Sequence, residues 1–174
     1  MSAFEQAFEI VIGHEGKYSD NSRDPGNWTG GQTGRGQLRG TQYGISAASY
    51  PKLDIASLTL DDARALFKAD YWDRLHCDEM DPGLALVAFD ASVNNGVGAA
   101  IKWLQAAVRV KVDGVFGDVT LAAVQIANPV ETLVELHAAR INMMAKLPTW
   151  QTFGAGWSRR LARIPYEAGK MEPD

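Results

Sequence analysis

The chain has 174 residues, of which 46% are hydrophobic and 22% charged, and its formal net charge is -4 at pH 7. This length fits one compact domain, or one domain with a small lobe, and the composition is typical of a globular protein. The negative net charge argues against a general nucleic-acid-binding protein. No run of about 18 apolar residues is present, so no stable membrane insertion is expected. The single cysteine, Cys77, excludes an intrachain disulfide.

The first predicted element is an amphipathic helix from about Ser2 to Glu15. Ser2 and Glu5 have the spacing of a capping box that starts the helix, and Gly16 is suited to end it. Steps of three and four residues place one set of side chains on a single face that we expect to be buried: Phe4, Phe8, Val11 and Glu15.

Glu15 is the candidate general acid. At a helix C-terminus the negative end of the helix dipole opposes a carboxylate, and desolvation against Phe8 and Val11 opposes it too, so both effects are expected to raise its pKa. A carboxyl group that keeps its proton near neutral pH can protonate the leaving oxygen of a glycoside. The alternative is that Glu15 extends into solvent at a fraying helix end.

The segment from Ser19 to Ser46 is rich in glycine, and we expect an irregular loop rather than a helix. Alternation at its end predicts a short strand or hairpin over Thr41–Ser46. Trp28 lies inside this loop, where its ring either stacks on a sugar or pins the loop to the body of the protein.

Helices are predicted along the rest of the chain, which makes the fold mainly α. Capping residues and apolar periodicity define them. The predicted ranges are Thr59–Trp72, Asp81–Gly96, Gly98–Val108, Asp118–Val124, Asn128–Lys146 and, from a weaker pattern, Gly154–Ile164.

Several competing motifs fail on their chemistry. His14 and Glu15 begin like a zinc-protease helix, but Tyr18 stands where the second histidine ligand is needed. The glycines lack the spacing of a phosphate loop or a dinucleotide fingerprint, and the three histidines are scattered in sequence. We therefore expect no metal and no cofactor. What survives is the carboxylate pair Glu15 and Asp24, with Thr41 beyond the glycine-rich loop.

These residues stand in blocks that resemble the glycoside hydrolase family 108 muramidases of phage endolysins and related bacterial proteins. The family signature is Glu-Gly-Gly-Tyr, then Asp-Pro-Gly-Gly, then a threonine shortly before Tyr-Gly-Ile. The matching blocks here are Glu15–Tyr18, Asp24–Asn27 and Thr41–Ile45. The similarity continues to about Arg160 through further blocks: Asp70–Asp73, Ala88–Asp90, Val93–Gly96, Leu104–Gln105, Asp113–Gly117 and Thr120.

The resemblance implies a lysozyme-like α-helical fold with the hairpin or glycine-rich loop by the active site. It implies cleavage of the β-1,4 bond between N-acetylmuramic acid and N-acetylglucosamine in bacterial peptidoglycan. Glu15 takes the position of the catalytic acid, and by looser analogy with phage lysozymes Asp24 and Thr41 are the assisting acid and the water-orienting residue. Four residues are assigned to substrate binding: Tyr18, Trp28, Tyr43 and Asn94.

The resemblance also implies a catalytic region over residues 1–96 and, over residues 97–174, a helical lobe similar to a predicted peptidoglycan-binding region. We expect the two regions to pack as one monomeric unit. The N-terminus lacks the pattern of a signal peptide. Synthesis in the cytoplasm is therefore expected, with action on the wall in the periplasm after release assisted by a holin or a secretion system.

The chain departs from the signature at two places, and two other functions are also compatible with the sequence. Lys17 replaces a glycine, which is tolerated only where the backbone does not need a positive φ, and its charge beside Glu15 would lower the acid's pKa. Residues 28–40 look like an expansion, which leaves open whether Thr29 or Thr41 faces the cleft. The other functions are a lytic transglycosylase that uses Glu15, and a non-catalytic wall-binding or secretion-accessory module.

Overall fold

A computed structural model describes residues 1–13 and 17–172. Helices dominate this part of the chain, which confirms the mainly α, lysozyme-like prediction. The α-helices within it are α1 (Ala3–Val11), α2 (Leu60–Phe67), α3 (Pro82–Asn95), α4 (Val97–Ala107), α5 (Asp118–Ile126), α6 (Pro129–Met144) and α7 (Trp150–Ala168). Two strands, β1 (Thr41–Gln42) and β2 (Ile45–Ser46), pair antiparallel as the predicted hairpin.

Short helical turns join these elements. Turns of 3-10 helix cover Pro25–Asn27, Ile55–Ser57, Asp73–Leu75 and Cys77–Glu79. A π-helical turn, Lys68–Trp72, follows α2 directly, so the single helix predicted over Thr59–Trp72 is in fact α2 and then a wider turn.

The chain divides into two compact units. The helical unit comprises residues 1–10 and the chain from residue 68 onward, and the loop unit comprises residues 11–67. Helices α3 and α4, which lie on either side of residue 96, both belong to the helical unit. The functional division expected at residue 96 stays a prediction.

The core of the helical unit forms around α3. Residues Gly83–Ser92 of this helix are buried on all sides, since α4, α6 and α7 pack against it. The rings of Phe4, Trp72 and Phe89 meet edge to face, with centroids 5.4 to 6.1 Å apart. Such pairs add to the stabilisation from apolar burial. Cys77 is buried in the same unit, as a small core residue.

The local capping signals are confirmed at four helices. Ser2 and Glu5 form the capping box of α1, with both reciprocal hydrogen bonds present at 2.9 and 3.3 Å. Thr59 and Asp62 do the same for α2. Asp81 accepts hydrogen bonds from two backbone N–H groups at the start of α3, and Asn128 does so at α6. Each satisfies donors that a helix N-terminus leaves free.

Two predicted helix ends are wrong. Helix α1 ends at Val11, four residues before Glu15, because Gly13 adopts a left-handed φ of 71° and the preceding residues 10–12 are β-branched. The expectation that Glu15 is the last residue of this helix therefore fails. Asp118 is the first residue of α5 and not its cap, which is Gly117. An acid in the first turn is still favoured by the helix dipole.

Helix α7 is longer than its pattern predicts and continues through Pro165. A proline has no N–H, so Pro165 leaves the carbonyl oxygen of Leu161 without its usual partner four residues on. His137 of α6 supplies the missing donor, because its Nε2 lies 2.6 Å from that oxygen. The side chain that compensates the proline therefore also ties α6 to α7.

Candidate active site

Glu15, the predicted general acid, lies outside the described residues. The other residues predicted for the site are described. Asp24, Thr41, Tyr18, Trp28 and Tyr43 all belong to the loop unit, and Asn94 belongs to the helical unit.

Asp24 is exposed and caps a short helical turn. Its Oδ1 accepts a hydrogen bond from the N–H of Gly26 at 2.8 Å, and Pro25 occupies the first position of the turn. This is the turn-forming role expected of an aspartate before proline and glycine. Within the described residues no hydrogen bond reaches Oδ2, so half of the carboxylate is open to solvent or ligand.

Asn27 joins the two ends of the glycine-rich loop, a role that the sequence reasoning missed. The side chain is 1% exposed. Its Oδ1 accepts a hydrogen bond from the hydroxyl of Thr41 at 2.7 Å, and its Nδ2 donates to the carbonyl of Asn21. Its own carbonyl accepts from the N–H groups of Arg39 and Gly40. All of its side-chain polar groups are thus satisfied, as burial requires.

Thr41 is held from two sides. Its backbone pairs with Ser19 through two hydrogen bonds of 2.9 Å, and its hydroxyl is oriented by Asn27. Because the Asn27 N–H also donates to the Asp24 carbonyl, one network links the backbone of Asp24 to the hydroxyl of Thr41. The hydroxyl of Thr29, the other candidate, accepts from the N–H of Gln37 within the loop.

The expanded loop forms a hairpin-like structure. Trp28 pairs with Leu38, and the N–H groups of Thr29 and Gly30 donate to carbonyls on the returning segment. The Trp28 indole N–H donates to the carbonyl of Ser22 at 2.9 Å, and its ring is half-buried. This contact is of the kind that pins a loop, and the half-exposed ring still presents surface to a ligand.

Two tyrosines flank Thr41. Tyr18 packs its ring against Gly40 so closely that a Cβ there would meet the ring at 2.6 Å, and its hydroxyl donates to the carbonyl of Arg39. Tyr43 and Gly44 form the two-residue turn between β1 and β2, with φ values of 51° and 78°. A positive φ is costly for tyrosine, and such strain is concentrated at functional sites.

A family model described as Glycosyl hydrolase 108 matches residues 8–96. The chain belongs to this family. The solved structure of SagA from Brucella abortus is 31% identical in sequence and superposes with a TM-score of 0.79, over 98% of this chain and 96% of that chain. No curated protein sequence matches. The chain is therefore a glycoside hydrolase, as the motif blocks predict.

In this family member, Asn94 lies at the exposed end of α3. Its Nδ2 donates to the carbonyl and to the carboxylate of Asp90, at 2.8 and 3.2 Å. Asp90 is completely buried and also pairs with two arginines, Arg140 and Arg160. Asn95 accepts a hydrogen bond from Nε of Arg140 at 2.8 Å. Asp90 thus orients several polar side chains at this end of the helical unit.

The motif residues of the C-terminal region serve the fold. Gln105 is buried, and its amide binds the loop that precedes α5 through both oxygen and nitrogen. Its other partners include Asp113 and the hydroxyl of Thr120. This explains the spacing of those blocks without a ligand, and peptidoglycan binding by the region stays a prediction.

Residues 1–13 and 17–172 contain no group of three or more His, Cys, Asp or Glu side chains that would hold a metal ion. No helix in the same ranges is long and apolar enough to cross a membrane.

Proposed function

We propose that this glycoside hydrolase cleaves the β-1,4 bond between N-acetylmuramic acid and N-acetylglucosamine in peptidoglycan. The observation that carries the proposal is the family match, which supports a peptidoglycan hydrolase and spans the three signature blocks that contain Glu15, Asp24 and Thr41. The hydrogen bonds that join the Asp24 turn to Thr41 support a common task for these two residues.

Glu15 donates its proton to the glycosidic oxygen as the bond to the muramic acid C1 breaks. The N-acetylglucosamine part leaves as an alcohol, and positive charge develops on the muramic acid ring. The open Oδ2 of Asp24 stabilises this charge or takes a proton from the attacking water. Thr41 orients that water through its hydroxyl oxygen.

The first test compares Glu15→Gln with the native protein on purified peptidoglycan. The amide keeps the shape of the side chain but has no acidic proton, so release of muropeptides should fall on the order of 10²–10⁴-fold. Asp20→Asn, which neutralises an exposed carboxylate in the same loop unit, is the matched control and should keep full activity. Substantial turnover by the Glu15 variant would contradict its assignment.

A second test separates the turn-forming role of Asp24 from its proposed catalytic role. In Asp24→Asn the side-chain oxygen still accepts from Gly26, so the turn and the melting temperature should persist while activity falls. Asp24→Ala removes the cap as well and should lose about 1 kcal/mol of stability in addition. Normal specific activity of Asp24→Asn would show that Asp24 forms the turn and has no catalytic role.

Mass spectrometry of the released ends identifies the reaction. Hydrolysis leaves reducing muramic acid ends. Anhydro-muramic acid ends would instead identify a lytic transglycosylase, and no turnover by the native protein would favour the wall-binding module.

A further inference from the structure

A basic pocket with a volume of about 490 Å³ lies in the helical unit, and among its described lining residues Asn94 was assigned to substrate binding above. One face of α7 forms most of it. The described residues that line this pocket are Ile10, Asn94, Gly156, Trp157, Arg159, Arg160, Arg163 and Ile164. Three of them are arginines and none is acidic.

The arginines are grouped because of helical spacing. Residues at 156, 159, 160, 163 and 164 recur at steps of three and four, so they share one side of α7. Between Trp150 and Tyr166 this helix carries no acidic residue. The first acid on it is Glu167, whose half-buried carboxylate lies 3.7 Å from Nε of Arg163, a side chain that is 65% exposed. At this distance the pair is weak, and the exposed guanidinium of Arg163 is available to a ligand.

Arg160 is held in a fixed orientation. Its Nε lies 2.7 Å from Oδ1 of the buried Asp90, and its side chain is still 37% exposed. Asp90 carries one negative charge but faces two guanidiniums, since Arg140 binds its other oxygen. The two guanidiniums share this one buried carboxylate beside the pocket. Asp90 also anchors Asn94, so it acts as a positioning residue for two lining side chains.

Arg159 and Trp157 complete the pocket. Arg159 is exposed, and no described residue forms an ion pair or hydrogen bond with its side chain. Trp157 is half-buried against Trp150 and Phe153, with ring centroids 5.9 Å away, which fixes an apolar wall. An aromatic wall with guanidiniums around it is suited to a ligand that has an apolar surface and carboxylates.

We propose that this pocket binds a carboxylate-bearing part of the peptidoglycan strand. The inference rests on the proposed function, because it takes peptidoglycan as the polymer. Two carboxylate sources exist in that polymer. One is the stem peptide, and the other is the lactyl group of muramic acid, which is a free carboxylate only where the peptide has been removed.

The test is a binding measurement by calorimetry with three ligands. The first is the disaccharide N-acetylglucosaminyl-N-acetylmuramic acid carrying its tetrapeptide, the second is the same disaccharide without peptide, and the third is uncharged di-N-acetylchitobiose. The proteins are the native chain, the double variant Arg159→Gln/Arg163→Gln, and Arg74→Gln. Arg74 is an exposed arginine of the same unit that does not line the pocket, so it controls for the loss of charge.

The double variant should bind the tetrapeptide ligand roughly tenfold more weakly and chitobiose unchanged, because only charge-assisted hydrogen bonds are lost. A loss for the tetrapeptide ligand alone would assign the stem peptide, a loss for the peptide-free disaccharide alone would assign the lactyl carboxylate, and losses for both would show that the pocket accepts either carboxylate. Arg74→Gln should bind as the native chain does. High salt should reduce the difference between native and double variant.

Equal binding of both carboxylate-bearing ligands by the native chain and the double variant would overturn the proposal. An equal loss of affinity for chitobiose would also overturn the proposal, since the pocket would then recognise the sugar and not the carboxylate. Binding does not require cleavage, so these results are independent of the Glu15→Gln assay. The melting temperature of each variant should equal that of the native chain, since the substituted side chains are exposed.

Discussion

The hydroxyl of Thr41 donates to Oδ1 of Asn27, and the 2.7 Å bond closes the base of the glycine-rich loop across 14 residues of sequence. The acceptor is buried, so loss of the hydroxyl leaves it without a partner. Such a loss costs about 1–3 kcal/mol. The same bond fixes the direction of the lone pairs that Thr41 offers to water.

Thr41→Val and Thr41→Ser test this bond. The valine variant should lose about 1–3 kcal/mol in a denaturant titration, and most of its activity at a temperature where it remains folded. The serine variant keeps the hydroxyl and should retain both the stability and the activity of the native protein. Full activity of folded Thr41→Val would show that the hydroxyl serves the loop alone.

Much of the fold could be predicted from the sequence because its signals are local. The caps at Ser2, Thr59, Asp81 and Asn128 depend on residues two or three positions away, and all four are formed. The hairpin turn at Tyr43 and Gly44 is likewise a matter of adjacent residues. The end of α1 was not predicted, because the helical stripe continued past the glycine that ends it.

The polar networks could not be predicted in this way. The partners of Asp90 lie 50 and 70 residues along the chain, at Arg140 and Arg160, and only the packing of three helices brings them together. Its motif block was recognised, but nothing local marked it as an ion-pair centre. Asn27 took the place of a signature glycine, and its role depends on contact with Thr41. The position of Glu15 in space stays a prediction.

Substitutions of Trp28 can test two roles separately. One is to hold the loop through its indole N–H, and the other is to contact the substrate through its ring. Trp28→Phe keeps a ring but loses the bond to Ser22, so we expect a lower melting temperature, by about 1 kcal/mol of stability, with glycan affinity nearly retained. Trp28→Ala should lose both. Paired melting and oligosaccharide-binding measurements check this. Unchanged affinity in Trp28→Ala would exclude a contact between this ring and the glycan.

We expect Tyr43 to lower the stability of the folded protein while contributing to glycan binding. Its φ of 51° is unfavourable for tyrosine, whereas asparagine before Gly44 gives a sequence that suits this two-residue turn. Tyr43→Asn should therefore stabilise the protein by about 1 kcal/mol. If the ring contacts substrate, the same variant weakens glycan binding while Tyr43→Phe does not. A Tyr43→Asn variant that is both less stable and fully active would contradict both expectations.

The pairing of His137 with Pro165 predicts a pH-dependent stability. Leu161 offers only a carbonyl, so Nε2 must carry the proton in the neutral ring, and Nδ1 is buried without a partner among the described residues. Burial lowers the pKa of His137 below its usual value of 6.5, with the nearby Arg140 charge acting in the same direction. The unfolded chain therefore takes up this proton at higher pH than the folded chain. The resulting contribution to stability is complete above pH 6.5 and decreases as the pH falls below it.

Denaturant titrations between pH 8 and pH 5 measure the effect in two steps. His137→Gln retains an N–H donor for Leu161 but does not titrate, so its stability should decrease less steeply below pH 6.5 than that of the native chain. His137→Leu removes the donor and should cost about 1–3 kcal/mol at pH 8. In a Pro165→Ala background the alanine N–H reaches the Leu161 carbonyl along the helix, so the same His137→Leu change should cost less. Equal costs in the two backgrounds would mean that His137 does not compensate for the proline.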